Sequence, residues 1–284
     1  MITPTSKGTP FTIVNKPQVG KVVEALRSNP EAGAIFSDLD NTLGKTGMYP
    51  KPPRRYYGYP AVVRGFQDQG VEFGLVTGRS GPQARRHGFG LEGMPILAMF
   101  GCVLEVGNTR FDRVPEPDLT EVDREFARIV DELTDQGYKV AAELEKSHTR
   151  ALHLPRRMRK SVREYVVHRL QQLAYSSGLH CKIGNPIEVG AESDKGEALT
   201  WYLSEYRGGR ELSAIVVAGD SPPDLPLFLA AKRLTENSLT VAVGDDPLLV
   251  PHADVLAENP AGMNVFLAWL LGAIGGVPRA YVTE

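Results

Sequence analysis

The chain has 284 residues, in which 32 lysines and arginines nearly balance 34 aspartates and glutamates, for a formal net charge of -2. This length predicts one large core and a second, smaller domain. The charge balance argues against a nucleic-acid or anionic-membrane surface, so we expect a small-molecule partner. The N-terminus has no signal-peptide pattern, and no run approaches the ~18 apolar residues of a membrane span. A cytoplasmic protein is therefore expected, and its two distant cysteines favour neither disulfides nor structural zinc.

Apolar runs alternate with helical spacing in the first part of the chain. After helical spacing at residues 19–27, the run at 34–39 ends abruptly in acidic residues and predicts a buried strand. A helix is expected at 61–69, and further strand-like runs follow at 71–77 and 96–106. This alternation predicts a parallel α/β sheet.

The pattern changes after Val114, where Asp118 or Thr120 is a plausible helix N-cap. An αββαββ order follows, with helices to about 136 and at 159–176 and strands at 138–145, 149–154, 179–183 and 187–189. The α/β alternation then resumes, with helices at 195–206 and 224–232, strands at 214–218 and 239–243, and an apolar C-terminal helix at 265–274. The predicted fold class is α/β, with a core of 1–113 and 192–284 interrupted by an α+β domain at 114–191.

The first chemically informative segment is AIFSDLDNTL, residues 34–43. Asp38 and Asp40 are two apart, so they point to the same side of an extended chain. One carboxylate can attack phosphorus as a nucleophile while the other protonates the leaving alcohol and then activates water. Such a pair alone is not specific, since it also caps turns and binds metal in glycosyltransferases.

A second acidic pair, Asp220 and Asp224, lies in AGDSPPDLPLF, residues 218–228, after another predicted strand. Carboxylates crowded at two strand ends raise one another's pKa, so their joint presence predicts a cation, and hard oxygen ligands favour Mg²⁺. Asp38 and Asp220 are the expected direct ligands. Without Asp38 and Asp40, the segment would read as an ordinary Asp/Pro turn.

Two further segments predict phosphate binding. FGLVTGRS, residues 73–80, offers the Thr77 hydroxyl and loop N–H groups beside Gly78 at a strand end. SDKGEAL, residues 193–199, places Lys195 at a helix start, where it can stabilise charge on phosphate and nucleophile. Taken alone, FGLVTGRS is typical of a common turn, and Lys195 in SDKGEAL is typical of a solvated surface lysine.

Four segments resemble, in order, the four motifs of the haloacid dehalogenase (HAD) phosphatase superfamily: DLDNTL, VTGR, DKGEAL and GDSPPDLPLF. The αββαββ segment falls where the sugar-phosphatase branch carries a large cap, and TVAVGDDPLLVPHADVL is similar to the segment after the last motif in that branch. The resemblance implies a Rossmann-like HAD core with a cap that closes during transfer. It also implies a soluble Mg²⁺-dependent hydrolase.

The resemblance further implies a role for each motif residue. Asp38 is the nucleophile, and Asp40 is the acid/base through its side chain and a metal ligand through its carbonyl. Phosphate is held by Thr77 and Lys195, and Mg²⁺ is bound by Asp220 and supported by Asp224.

Substrate-binding residues are expected in the cap. ELEKSHTRALH, residues 143–153, is similar to a stretch of trehalose-phosphate phosphatases, whereas TGRS and GDS are closer to sucrose-phosphate and mannosyl-phosphoglycerate phosphatases. The expected substrate is a phosphorylated sugar or glycosyl phosphate of one of these kinds. Lys146 is the leading candidate contact, followed by Glu145, with Arg150 and His153 as further candidates; a solvated surface is the alternative. PKPPRRYYGYP, residues 50–60, departs from the family.

The expected reaction is hydrolysis of a phosphomonoester through an aspartyl-phosphate. A phosphosugar mutase with the same intermediate and a non-catalytic phosphosugar-binding module are the alternatives. GFGLEG, residues 88–93, follows a helical segment and not a strand, so no dinucleotide site is expected. The basic clusters at 54–57 and 156–160 are too short to predict an RNA partner.

Overall fold

A computed structural model describes residues 9–45, 59–86 and 93–277 of the chain. They form two compact units: one comprises the described parts of Met1–Phe111 and Asp194–Glu284, and the other is Asp112–Ser193. The second unit is thus a continuous insertion into the first. The basic cluster at 54–57, most of the stretch at 50–60 and nearly all of GFGLEG lie outside the described residues.

The described residues contain two sheets, of nine and four strands. In chain order the strands are β1 (Phe11–Ile13), β2 (Gly33–Ser37), β3 (Glu72–Val76), β4 (Ile96–Ala98), β5 (Val103–Val106), β6 (Thr109–Asp112), β7 (Ala141–Glu143), β8 (Thr149–His153), β9 (His180–Lys182), β10 (Ile187–Gly190), β11 (Ala214–Gly219), β12 (Ser238–Val243) and β13 (Val255–Ala257).

The α-helices are α1 (Lys16–Ser28), α2 (Tyr59–Asp68), α3 (Gly81–Arg86), α4 (Thr120–Asp135), α5 (Lys160–Ser176), α6 (Lys195–Trp201), α7 (Leu225–Leu234) and α8 (Pro260–Ala273). A π-helical turn, Tyr202–Tyr206, continues α6. Among the described helices, none is both long and apolar enough to cross a bilayer.

The large sheet has the order β1-β13-β12-β11-β2-β3-β4-β5-β6. Its central strands, from β13 to β4, pair in parallel. Every residue of β2, β11 and β12 is buried, as expected for central strands of a parallel sheet with helices packed against it. The predicted α/β fold class, with an inserted α+β domain, is confirmed.

The chain reverses its direction of travel across the sheet beside β2. From β2 it moves to β3 and β4 on one side, and after the insertion it returns as β11 on the other side of β2. Loops at the carboxyl ends of β2 and β11 therefore diverge there and leave a crevice, which is where open α/β sheets bind ligands.

The apolar run at 96–106 is not the single strand that its composition predicts. It forms β4 and β5, which pair antiparallel around a four-residue connection whose first three residues form a tight turn. The turn residues Met99, Phe100 and Gly101 all have left-handed backbone conformations, with φ of 51°, 57° and 87°. Because left-handed residues reverse the chain, the run folds back on itself, and neither Met99 nor Phe100 signals such a turn.

The inserted unit has its own sheet and core. Its strands pair antiparallel in the order β7-β8-β10-β9, and its helices α4 and α5 pack on one face of that sheet. The apolar face of α4, including Phe126 and Ile129, meets Leu152 of β8 and Val189 of β10 in a buried cluster. This cluster is separate from that of the large sheet, so the unit carries its own source of hydrophobic stability.

We predict that Phe126→Ala lowers the free energy of unfolding of the inserted unit by about 3–5 kcal/mol, because Phe126 is fully buried and its removal leaves a cavity. Denaturant unfolding followed by circular dichroism measures the change. Tyr175→Ala on α5, at a residue that is 90% exposed, is the control and should change the free energy by no more than about 0.5 kcal/mol. Equal effects of the two variants would contradict a core centred on Phe126.

Candidate active site

The candidate site starts at the carboxyl end of β2. Asp38 directly follows this strand, and its N–H donates to the carbonyl of Ala218 on β11 at 2.9 Å. Its side chain is only 6% exposed. The strand pairing thus fixes the Asp38 backbone beside the end of β11, and the carboxylate is held out of bulk water.

Lys195 supplies a positive charge to this carboxylate. It is the first residue of α6 and is 3% exposed. Its Nζ donates to Asp38 Oδ1 at 2.6 Å and to Asp224 Oδ1 at 2.5 Å. One buried ammonium therefore joins α6 to segments that follow two neighbouring strands of the sheet.

Asp224 is engaged at both carboxylate oxygens. While Oδ1 accepts from Lys195, Oδ2 accepts from the backbone N–H groups of Asp220 and Ser221 at 3.0 and 3.1 Å. These bonds close the turn after β11 and fix Asp220 beside Asp38. Asp224 is fully buried, so its role in the fold is to hold Lys195 and this turn in place.

Asp220 completes the acidic cluster and borders open space. Ligand oxygens of Asp38, Asp220 and Asp224 lie within 4.8 Å of one another. The Thr42 hydroxyl lies 3.4 Å from an oxygen of Asp38 and 3.4 Å from one of Asp220. An open cleft of about 570 Å³, which Asn41 also lines, lies beside Asp220, so small solutes can reach this carboxylate.

The electrostatics of the cluster show a surplus of negative charge. Burial raises the pKa of the Asp38 carboxyl well above its usual range, and the charges of Asp224 and Asp220 add to the effect while Lys195 opposes it. Burial, together with the charge of Asp224, raises the pKa of Asp220 to about 6. Burial alone would lower the pKa of Lys195, but the charges of Asp224 and Asp38 outweigh it and raise that pKa, so Lys195 stays protonated.

This cluster fits a divalent cation. Its three carboxylates face one ammonium, an excess of two negative charges that a single divalent ion would neutralise. The donor atoms are hard oxygens, which suit Mg²⁺. Asp224 is fully buried, and one of its oxygens accepts two backbone N–H groups while the other accepts from Lys195. Asp220 borders the open cleft, and within the described part of the chain one Asp38 oxygen has only the long contact with Thr42, so these two carboxylates are better placed to hold such an ion, with Asp224 supporting them.

Asp40 is held by a residue that the sequence analysis did not single out. Arg79 donates from Nε and Nη2 to the two oxygens of Asp40 at 2.7 and 2.8 Å, a bidentate pair that fixes the plane of the carboxylate. Arg79 directly follows Thr77 and Gly78 in VTGR, so its position in the motif was the available signal. The metal contact expected of the Asp40 carbonyl stays a prediction.

The loop after β3 lies next to Asp38 in the sheet. Thr77 is fully buried, its N–H donates to Leu97, and its hydroxyl accepts the N–H of Arg79 at 3.2 Å. Gly78 is half-buried between them. Because β3 pairs with β2 in parallel, Thr77, Gly78 and Asp38 occupy the same edge of the sheet.

The inserted unit contains a second group of buried charges. Lys146 is 4% exposed, and its Nζ lies 3.1 Å from Glu188 and 3.6 Å from Glu143. Ala151 of β8 pairs with Glu143 on one side and Glu188 on the other. The small alanine leaves room for the lysine between the two glutamates. His153 joins the group, with Nε2 3.4 Å from Glu143.

The other two candidates from this unit lie elsewhere. Arg150 alternates with Ala151 along β8 and so points to the opposite face, where its guanidinium pairs with Asp123 of α4 and also donates to the backbone carbonyl of Lys146. Glu145 is exposed in the loop before β8. Glu143 and Glu188, which the sequence analysis did not select, are the partners of Lys146. For Glu188 the sequence contained no signal, since it is 42 residues from Lys146.

The fold is that of the haloacid dehalogenase-type hydrolases, although no protein-family model and no curated protein sequence matches the chain. The chain is similar to the C-terminal domain of C. albicans trehalose-6-phosphate phosphatase, with 16% identity, a TM-score of 0.72, and 94% of this chain and 99% of that one covered. It is also similar to a trehalose-6-phosphate phosphatase related protein, with 21% identity, a TM-score of 0.66 and coverage of 84% and 97%.

A third similar structure is a haloacid dehalogenase-like hydrolase from Bacteroides thetaiotaomicron, with 16% identity, a TM-score of 0.60 and coverage of 84% and 99%. At these identities the likeness establishes the fold and not the activity. The resemblance inferred from the four motifs is thereby confirmed at the level of the fold.

The raised pKa of Asp220 predicts how stability depends on pH. Because its folded-state value of about 6 exceeds its ordinary 3.8, the folded chain binds more protons in this window, and the contribution of Asp220 to stability falls as pH rises from about 4 to 6. With metal removed by a chelator, Asp220→Asn should therefore raise the melting temperature above wild type by on the order of a few °C at pH 7 and less at pH 4.

Added Mg²⁺ should reverse the order at pH 7, because wild type binds the ion and gains stability while Asp220→Asn loses a ligand. Differential scanning fluorimetry at both pH values, with and without Mg²⁺, measures these shifts. An equal difference between variant and wild type at pH 4 and pH 7 would contradict a raised pKa at Asp220.

Proposed function

We propose that the protein is a Mg²⁺-dependent phosphatase that hydrolyses the phosphomonoester of a sugar through an aspartyl-phosphate on Asp38. The observation that carries the proposal is the buried Asp38 carboxylate, bound to Lys195 and grouped with Asp220 and Asp224 at the strand reversal. The similar solved structures named above support the same class of reaction.

In the first step, an Asp38 oxygen attacks the phosphorus atom and the bond from phosphorus to the sugar oxygen breaks. Asp40 donates a proton to this oxygen, which leaves as a free hydroxyl. Burial keeps water from competing with Asp38, and Lys195 stabilises negative charge on the phosphoryl oxygens from a fixed position. Thr77 and the loop at Gly78 bind the same oxygens.

In the second step, water attacks the phosphorus atom of the aspartyl-phosphate. Asp40 accepts the proton from this water, the bond from phosphorus to Asp38 breaks, and inorganic phosphate leaves. Arg79 fixes the plane of the Asp40 carboxylate, and one of its two hydrogen bonds is released when that oxygen carries the proton. Both carboxylates return to their starting states.

Mg²⁺ bound by Asp38 and Asp220, with Asp224 in support and the Asp40 carbonyl as a further ligand, would neutralise the repulsion between the anionic nucleophile and the anionic phosphate. The excess negative charge of the cluster supports this requirement. Without a cation, the cluster would repel the phosphate that the reaction needs.

The inserted unit supplies the contacts that distinguish one sugar phosphate from another in this proposal. The sheet face opposite the α4 and α5 core carries hydrogen-bond donors and acceptors that suit sugar hydroxyls. They belong to Lys146, Glu143, Glu188 and His153. Buried charges of this kind cost stability, which favours a binding role over a purely structural one. Arg150, which pairs with Asp123, is left out of this set.

Asp38→Asn should lower phosphate release by roughly a thousandfold or more, because an amide is a poor nucleophile. The measurement is release of inorganic phosphate from a panel of phosphorylated mono- and disaccharides in the presence of Mg²⁺. Asp131→Asn, at an exposed position of α4, is the matched control and should keep wild-type turnover.

Retained phosphate release by Asp38→Asn would contradict the mechanism. Isomerised sugar phosphate without free phosphate would identify a mutase. Binding of sugar phosphates by the wild-type protein with no turnover across the panel would identify a non-catalytic binding module.

Lys146→Met should reduce the catalytic efficiency on the preferred sugar phosphate about tenfold to a hundredfold, because a hydrogen bond in a buried site is lost. p-Nitrophenyl phosphate, which has no sugar hydroxyls, should be hydrolysed almost as fast as by wild type. Lys160→Met, at a lysine whose side chain is 89% exposed, is the matched control and should change neither rate. Equal losses on both substrates would show that Lys146 supports the fold and does not bind the sugar.

A further inference from the structure

The turn between β4 and β5 is strained. Met99 and Phe100 have φ of 51° and 57°, and Gly101 follows with φ of 87°. A bulky side chain rarely adopts this conformation, and two in succession persist only where the surrounding structure enforces them. Such strain is concentrated at functional sites, which suggests that the contacts of this turn serve the nearby site.

The turn is bonded to the loop that the proposed function assigns to phosphate. The N–H of Met99 donates to the carbonyl of Arg79, and the N–H of Phe100 donates to the carbonyl of Thr77, both at 2.9 Å. These two carbonyls lie on either side of Gly78. Consecutive amides of the strained turn therefore fix the backbone conformation of the loop.

The Phe100 ring fills the space against the same loop. A Cβ atom built on Gly78 would lie 2.7 Å from Phe100 Cζ, so the tip of the ring lies directly against the glycine. The Lys195 Nζ lies 5.9 Å from the ring centroid, at the outer limit of an attraction between a cation and the ring face. Phe100 is only 8% exposed, so its ring also excludes water from that side of the ammonium.

The far end of the turn lies against the helix that begins with Lys195. A Cβ atom on Gly101 would lie 1.9 Å from the Cβ of Ala198 in α6, a separation that only glycine permits. The turn is thus packed between the two segments assigned to phosphate, the loop after β3 and the start of α6. A single strained element sets the distance between them.

We infer that Phe100 is a positioning residue for phosphate binding, which acts by holding the Gly78 loop and by shielding Lys195. The inference rests on the proposed function, because it concerns the affinity of that same site for phosphate. It explains why a bulky residue occupies a left-handed position that glycine or asparagine would occupy without strain. A turn that served the fold alone would have no need of the phenyl ring.

The test is competitive inhibition by inorganic phosphate, measured against hydrolysis of p-nitrophenyl phosphate. Phe100→Leu, which keeps an apolar side chain but removes the ring, should raise the Ki of phosphate about tenfold. Phe100→Tyr keeps the ring and places a hydroxyl on Cζ, the atom nearest Gly78, so it should raise Ki by a similar factor. Loss of folded protein would lower turnover without changing Ki.

A double-mutant cycle tests the contact itself. Gly78→Ala should raise Ki in the wild-type background, because its methyl group meets the Phe100 ring. In the Phe100→Leu background the same change should add no more than about twofold, because the ring tip that it strikes is gone. Additive effects of the two substitutions would overturn the inference.

Phe66→Leu is the matched control, since Phe66 is a fully buried phenylalanine of α2 whose ring packs against Phe73. It should lower the melting temperature and leave Ki within about twofold of wild type. If the wild-type protein binds phosphate but Phe100→Leu and Phe100→Tyr leave Ki unchanged, the inference is overturned and the proposed function is not. A wild-type protein that neither binds phosphate nor hydrolyses the aryl ester would overturn the proposed function and this inference together.

Discussion

The buried ammonium of Lys195 is the interaction on which the candidate site depends. It lies within hydrogen-bond distance of Asp38 and Asp224, which follow two adjacent strands, and it neutralises part of their charge. Without it, the carboxylates would repel one another in a region closed to water, and at least one would be neutralised by a proton. The chemistry proposed for Asp38 requires its ionised form, which Lys195 and the proposed divalent cation would together make accessible.

The parallel sheet places these charged groups on backbone segments whose positions are fixed by hydrogen bonds. Asp38 is fixed by its N–H bond to Ala218, and Asp224 closes a turn through the amides of Asp220 and Ser221. The Asp224 carboxylate is therefore oriented by backbone donors, whereas the Asp38 carboxylate extends from a fixed backbone position and is held by the buried Lys195 ammonium. A site built in this way is preorganised, which is the main source of electrostatic stabilisation in phosphoryl transfer.

The two units each bury a lysine between two carboxylates, but the groups differ in composition and surroundings. Lys195 is shared by aspartates that follow strands β2 and β11, whereas Lys146 lies in a loop between glutamates on strands β7 and β10. Short aspartates keep the first group close to the backbone. In the second group, the longer glutamates and the small Ala151 leave room for a polyhydroxylated ligand to replace internal hydrogen bonds with its own. This difference fits the proposal that the first group binds phosphate and the second binds the sugar.

The sequence by itself determined the fold class, and it predicted the insertion and most residues of the candidate site. Apolar runs ending in acidic residues located the strand ends, and the spacing of Asp38, Thr77, Lys195 and Asp220 along these elements was sufficient because such chemistry depends on local position at a strand end or helix start. Only the tertiary structure decided the rest. The 96–106 run became a hairpin because three left-handed residues reverse it, and backbone angle is not encoded by hydrophobic spacing. Likewise, the Arg150 guanidinium is bound by Asp123 and the backbone carbonyl of Lys146, whereas Glu188 binds the Lys146 ammonium. Strand register sets which face a side chain occupies, and that register is fixed by pairing between segments distant in the sequence.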